Sequence, residues 1–376
     1  FLMISTRSTK KGYVEVYPKF KIQRCSDLMI RGGDFYAIWD EEAGLWSTDE
    51  YDVQRLIDKE LAEYYEEAKK RTDAYINVKY LGDYSSKSWM EFRNYVSHIS
   101  DSYHDLDTKL TFANTEVKKN TYASKRLPYP LERGSTEAYD EIVSTLYDSD
   151  ERDKIEWAIG AIVTGDSKKI QKFMVFYGEA GTGKSTILNV VQQLFEGYHT
   201  VFDAKALGSS NNAFALESFK SNPLVAIQHD GDLSKIEDNT RLNSLVSHEV
   251  MEINEKFKGK YNARFICFLF MGTNRPVKIT DGKSGLLRRL IDVSPSGRKL
   301  GIREYRKATK QVEFELGAIA AHCRDVYLAD PAAYDDYVPI GMMGASNDFY
   351  NFVIDSYHVF KREDGTTLKA AWEMYK

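Results

Sequence analysis

Residues 178–186 read GEAGTGKST. Gly178, Gly183, Lys184 and Ser185 fall at the fixed positions of G-x-x-x-x-G-K-[ST], the spacing of a loop that cradles phosphates. The glycines let the backbone close on phosphate oxygens, and the run Glu179, Ala180, Gly181, Thr182 can turn successive N–H groups inward. Lys184 is then a point charge for β- and γ-phosphates, and the Ser185 hydroxyl, followed by Thr186, is a Mg²⁺ ligand. A helix starting here adds its positive end to the anion site. The flanks suit this chemistry. Phe173 to Tyr177 is a short apolar run, as expected of a buried strand, and Ile187 to Phe195 continues at helical spacing. The bland alternative, a chance glycine-rich turn, has no need of that strand and helix.

A phosphate loop works with a second carboxylate that holds Mg²⁺ and polarises water. The apolar run Leu224 to Ile227 ends in Gln228-His229-Asp230-Gly231-Asp232. Asp230 is the first choice for that acid and Asp232 the second; His229 reads as a neighbour of the site rather than a ligand or base. A further apolar strand, Phe265 to Met271, runs into Gly272-Thr273-Asn274-Arg275-Pro276. Asn274 at its tip can orient an attacking water and sense a γ-phosphate, or can simply open a turn before Pro276. Arg288 and Arg289 precede the apolar pair Leu290-Ile291. Either could serve as a finger for a neighbouring subunit's nucleotide; the alternative is a solvated cationic face. Lys256, Phe257, Lys258, Lys260 and Tyr261 put cations and aromatics in one short segment, as single-strand binding requires. That segment reads as a β-hairpin from Glu252 to Arg264 turning near Lys258-Gly259-Lys260, or as an exposed turn whose lysines aid solubility.

The elements that must position these residues follow from the whole chain. Its 376 residues are enough for two or three domains, and 43% hydrophobic with 28% charged residues describes an ordinary globular protein. The net charge of −5 excludes a global basic field, so any nucleic-acid contact is local or repeated around a ring. Cys25, Cys267 and Cys323 lie far apart, which argues against a zinc site or disulfide framework and for a reducing compartment. No apolar run reaches membrane-spanning length. Opening on Phe1 and stopping at Lys376 in a helical pattern, the chain reads as an excised fragment of a longer protein. Residues 1–48 read as strands and turns, with a hairpin through the acidic turn at 40–44. Residues 49–134 read as a mainly helical accessory domain, with one amphipathic helix over 49–71, another starting near Trp89, and a linker over 121–134 marked by Pro128, Pro130 and Gly134. Residues 135–300 read as an α/β domain, and 301–376 as a helical region, with a helix from Glu304 to Leu328.

In this order and within about a hundred residues, the pieces GEAGTGKST, HDGD at 229–232, EKFKGKYNAR at 255–264, GTNRP at 272–276 and GLLRR at 285–289 resemble superfamily 3 helicases. More narrowly, they look like the helicase portion of the phage and plasmid primase-helicase family, which includes the poxvirus primase-helicase. The helix around Trp157 to Gly165 is similar to the one preceding that family's loop, and the segment from Asn347 onward to the start of its winged-helix tail. The resemblance implies an AAA+-like P-loop ATPase core with ATP and Mg²⁺ as cofactors. It implies a homo-oligomeric ring, usually of six, with ATP sites between subunits. It also implies 3′→5′ movement on single-stranded DNA, a primase or polymerase domain upstream, no membrane partner, and a cytoplasmic location (the host's, for a virus). The chain departs from the family in having Asp-Gly-Asp where a Glu or adjacent acids are usual, and in its acidic balance. Two other readings stay open: an AAA+ ATPase that remodels another partner, and a nucleotide-gated loader or scaffold with little turnover.

Overall fold

The computed structural model describes residues 1–23, 25–82, 85–99, 103–209, 215–234, 238–253, 261–278, 285–356 and 368–376. They fall into two units, residues 1–107 with 115–126 and residues 108–114 with 127–376.

Unit one contains β1 (Leu2–Ser8), β2 (Val14–Phe20), β3 (Leu28–Arg31), β4 (Asp34–Asp40), β5 (Leu45–Ser47), α1 (Glu50–Lys69), β6 (Ile76–Val78) and α2 (Ser85–His98). The strands form two three-stranded sheets, β1-β2-β6 and β3-β4-β5. β4 and β5 make the expected hairpin, with Trp39 opposite Trp46. Its turn is closed by the Asp40 carboxylate, which accepts from the N–H groups of Glu42 and Ala43. The Asp49 side chain caps α1 by accepting from the Tyr51 N–H. One turn apart along α1, Val53, Ile57 and Leu61 are buried with Val16, Leu28, Ile38, Phe92 and Val96. The expectation of a mainly helical accessory domain is corrected here. Helix is confined to α1 and α2, and from residue 103 to 135 the only helical turn is a 3₁₀ turn at Lys119–Thr121. Of the apolar residues Leu106, Leu110, Phe112 and Leu127 in that stretch only the first two stand one helical turn apart, too few to sustain a helix, and Pro128 and Pro130 each remove a backbone donor.

Unit two contains α3 (Glu137–Leu146), α4 (Ser149–Thr164), β7 (Phe173–Tyr177), α5 (Lys184–Leu194), β8 (His199–Val201), α6 (Ala204–Leu207), β9 (Val225–Gln228), α7 (Thr240–Val246), β10 (Val250–Ile253), β11 (Tyr261–Arg264), β12 (Phe268–Thr273), β13 (Leu290–Val293), α8 (Ile302–Ala329), α9 (Ile340–Ser346), α10 (Asp348–Asp355) and α11 (Leu368–Tyr375). Five strands form a parallel sheet in the order β13-β7-β12-β9-β8. Strand residues alternate between its two faces. Met174, Phe176, Val225, Ile227, Phe268 and Phe270 join one core; Phe173, Val175, Ala226, Leu269 and Met271 join the other. Covered on both faces, such strands read as unbroken apolar runs, which is why they are visible in the sequence.

The strand read from Phe265 begins three residues later. Phe268 is the first residue to pair, opposite Val225. Ahead of it the Phe265 carbonyl accepts from the buried His248 ring at 2.8 Å, and the Phe265 ring packs on Phe219.

α4 and α8 pack closely below the sheet. Gly160 makes this possible: a Cβ there would lie 2.1 Å from the Cys323 carbonyl oxygen and 2.6 Å from the Tyr327 Cβ. Trp157 fills the adjoining space against Tyr327 and Tyr334. Glu156, almost fully buried, accepts from Arg152 and meets the His322 ring at 3.0 Å, so the charges across the helix pair are matched. Gly160→Ala should force the helices apart and lower stability by about 1–3 kcal/mol or more, an overpacking cost. Urea unfolding measures it; an unchanged midpoint would disprove the close contact.

Candidate functional site

β7 and β12 are neighbours, yet the chain leaves β7 toward β8 at one edge and leaves β12 toward β13 on the other side. Adjacent strands whose onward connections run in opposite directions open a crevice at their carboxyl ends, where open parallel sheets bind ligands. The glycine-rich loop 178–183 lies here. Tyr177, the last residue of β7, pairs with Thr273, the last of β12, and the Gly178 N–H reaches the Thr273 carbonyl at 3.3 Å. The loop closes at Gly183, whose φ of +96° is left-handed. A Cβ there would sit 2.7 Å from Leu146. Both the backbone angle and the space therefore demand glycine. α5 follows directly, anchored by the buried side chains of Ile187, Leu188, Val191 and Leu194.

Lys184 opens α5 and is only 7% exposed. Its ammonium donates to the carbonyls of Gly178 (2.7 Å) and Glu179 (2.6 Å) and to Asn274 Oδ1 (2.8 Å). Three donors meet three acceptors, so no hydrogen is wasted. Burial pulls its pKa below the usual lysine range, and the nearby Asp230 charge opposes that shift. Lys184 and Asn274, ninety positions apart in sequence, thus meet directly. They line a cavity of about 490 Å³ with Ala180, Gly181, Ser185, Thr186, His229 and Asp230. Gly178 and Glu179 take part through their carbonyls, and the Thr182 hydroxyl donates to the Glu179 carbonyl at 2.8 Å. Burial depresses the His229 pKa, so this imidazole is neutral at neutral pH.

The two acids separate. Asp230 is exposed on the cavity wall. Asp232 is engaged elsewhere: its carboxylate accepts from the Ser234 N–H and hydroxyl and pairs with Arg275 at 3.0 Å. The Ser234 bonds, then Arg275, hold its pKa below the usual carboxylate range. The two arginines separate as well. Arg288 is exposed. Arg289 is 5% exposed and directed inward, donating to the Ser247 hydroxyl and the Gly285 carbonyl. β10 and β11 pair antiparallel, Ile253 opposite Tyr261, as the arms of a hairpin. Lys256, Phe257, Lys258 and Lys260 lie outside the described residues, and of Tyr261 only the backbone is described.

Four cavity residues carried no signal in the sequence: Leu146, Lys299, Leu300 and Tyr305. Leu146 ends α3. The other three come from the start of α8 and the segment before it, more than a hundred positions beyond the loop. The Tyr305 hydroxyl stands 3.4 Å from Thr186 Oγ1. Arg298 holds this wall in place by donating to the carbonyls of Ser144 and Thr145 and pairing with Asp148. Among the described residues no group of three or more His, Cys, Asp or Glu could hold a metal ion, and no helix is long and apolar enough to cross a membrane. The hydroxyl of Ser185 and carboxylate of Asp230 on one cavity suit Mg²⁺, which takes few protein ligands and fills its shell with water and phosphate oxygens.

No curated protein matches this sequence. Residues 176–289 match the model of a family of unknown function, DUF5906. Among solved structures, an A-form apo structure of the C-terminal region of NrS-1 is similar at 14% identity and a TM-score of 0.44, over 63% of this chain and 59% of that one. A second apo structure of the same region is similar at 14% identity and a TM-score of 0.41, over 66% and 63%. The chain therefore spans about three fifths of the length of these structures.

Proposed function

We propose that this chain is a Mg²⁺-dependent ATP hydrolase that uses turnover to move along single-stranded DNA and unwind the duplex, as a replicative helicase does. The observation that carries the hydrolase reading is the convergence of Lys184, Asn274, Ser185 and Asp230 on one cavity at the carboxyl end of a parallel sheet. The DNA part rests on the resemblance to superfamily 3 helicases and on the β10–β11 pair, whose arms lead to Lys256, Lys258 and Lys260.

Each residue then has a task. Backbone N–H groups of loop 178–183 and the first turn of α5 take up phosphate oxygens. Lys184 exchanges its carbonyl partners for the β/γ-phosphates. Ser185 and Asp230 would hold Mg²⁺, which when bound would offset phosphate charge. Asp230 polarises the attacking water and Asn274 orients it. Arg288, rather than the internally bonded Arg289, reaches the nucleotide of a neighbouring subunit in a ring.

Lys184→Ala should abolish hydrolysis and weaken ATP binding; Asp230→Asn should keep nucleotide and lose turnover, while Asp232→Asn retains it. Steady-state hydrolysis with nucleotide titration checks both, and greater damage from Asp232→Asn would reverse the assignment of the acid.

The arginines should differ in kind. Arg289→Ala should cost about 1–3 kcal/mol of stability by stranding its half-buried partners and emptying a buried site, whereas Arg288→Ala should melt like the parent yet lose turnover. Mixing Lys184→Ala with Arg288→Ala subunits should restore some hydrolysis; no recovery in mixed rings would exclude a role between subunits.

Lys258→Ala combined with Lys260→Ala should leave basal hydrolysis intact, weaken single-strand binding at every sequence and flatten its salt dependence. Unwinding of forked DNA that survives this change would remove the hairpin from the motor. DNA-stimulated hydrolysis also separates the motor from a remodeller or a scaffold.

A further inference from the structure

Unit one holds a second cavity, of about 430 Å³, lined by Cys25, Met29, Trp46, His104, Lys118, Asn120 and Tyr122 among others. We propose that it takes an unstacked nucleotide of a single nucleic-acid strand, the base continuing a stack of rings that ends at His104.

The stack is built from the β4–β5 hairpin outward. Trp46, 2% exposed, is fixed by its indole N–H to the Lys119 carbonyl (2.8 Å) and its backbone N–H to the Ala123 carbonyl (2.9 Å). Tyr122 stacks on Trp46 with centroids 6.2 Å apart, and His104 stacks on Tyr122 at 4.2 Å. His104 is exposed, so the last ring of the series is open to solvent.

The backbone is held in an unfavourable shape to present these rings. Tyr122 and Asp107 both have left-handed φ, +52° and +55°. Residues with side chains adopt this region only where their surroundings hold them, and such positions concentrate at ligand clamps. Here the Asp107 N–H donates to the Tyr122 carbonyl at 2.9 Å, and the Asp107 carboxylate accepts from the Ser124 N–H and hydroxyl. The two strained residues lock each other.

The polar lining suits a nucleotide. Lys118 is exposed and meets only the equally exposed Glu116, at 3.3 Å, a pairing too weak to resist a phosphate. Lys119 is bound to Ser26 and Asp27 and forms part of the wall. Asn120 offers an amide to a base edge. Next to His104 in sequence, the Tyr103 ring carries the Arg31 guanidinium 4.9 Å over its face. Asp27 engages Lys119, which leaves Lys118 to meet a phosphate, and the stack on His104 is the part of the grip that tolerates any base.

The test is fluorescence anisotropy of a short labelled oligothymidylate with the full chain, without nucleoside triphosphate, so that the result is independent of Lys184 chemistry. His104→Ala should weaken binding about fivefold or more, as loss of one base stack does. The loss should be equal at low and high salt, and His104→Phe should restore affinity. An abasic strand of equal charge should bind wild type and His104→Ala alike. Equal affinity of His104→Ala and wild type for oligothymidylate, or failure of His104→Phe to rescue, would overturn the site. Displacement by dTMP at matched nucleotide concentration would overturn the strand as its occupant.

Discussion

The site in unit two turns on one bond, from the Lys184 ammonium to Asn274 Oδ1. It joins the start of α5 to the tip of β12, and the same ammonium ties both to the carbonyls of Gly178 and Glu179. A lysine placed so needs β7 and β12 side by side and in register to their last residues, which the pairing of Tyr177 with Thr273 provides. It also needs α5 fixed along its length, which the buried face of Ile187, Leu188, Val191 and Leu194 provides. The local cost is desolvation of a cation, visible in the depressed lysine pKa. That cost is tolerable because three oxygens surround the charge. On the proposed function, an arriving phosphate would have only to exchange for oxygens already in place, without a new rotamer for a long side chain.

Two pairs of like residues, Asp230 with Asp232 (ranked in that order from sequence) and Arg288 with Arg289 (left unranked), are unlike in space. What separates them is hydrogen bonding by neighbours. Ser234 and Arg275 saturate Asp232, leaving Asp230 to face the cavity. Ser247 and the Gly285 carbonyl occupy the Arg289 guanidinium, leaving Arg288 outside. In both pairs the engaged member contributes stability, and its partner stays free of that duty.

The parallel sheet was legible because strands covered on both faces are apolar throughout, and the loop was legible because phosphate binding restricts residue type at fixed spacing. α1 and α8 announced themselves by period, and the 40–44 turn by its acids and glycine. Tertiary pairing was not legible. The start of β12 moved from Phe265 to Phe268 because partner strand β9 begins at Val225. Of the buried apolar residues in the stretch 103–120, Leu106, Leu110 and Phe112, only the first two stand at helical spacing, so helix was over-read there. Leu146 and Tyr305 reach the cavity only through the packing of α3 and α8, and nothing in their local sequence marks them.

The net charge of −5 constrains how such a chain can meet a polyanion. Long-range attraction is absent, so encounter gains little from steering and contact must be made at short range. Inside the cavity the demand is met by focusing: one desolvated lysine, held among backbone dipoles, presents more field to a phosphate than several solvated ones. In unit one Asp27 engages Lys119 while Lys118 meets the exposed Glu116, so flat rings are the larger part of what that surface would offer a strand. Stacking is short-ranged and indifferent to sequence, and it breaks when the ring moves by a few ångströms, whereas a strongly basic groove would keep hold of DNA.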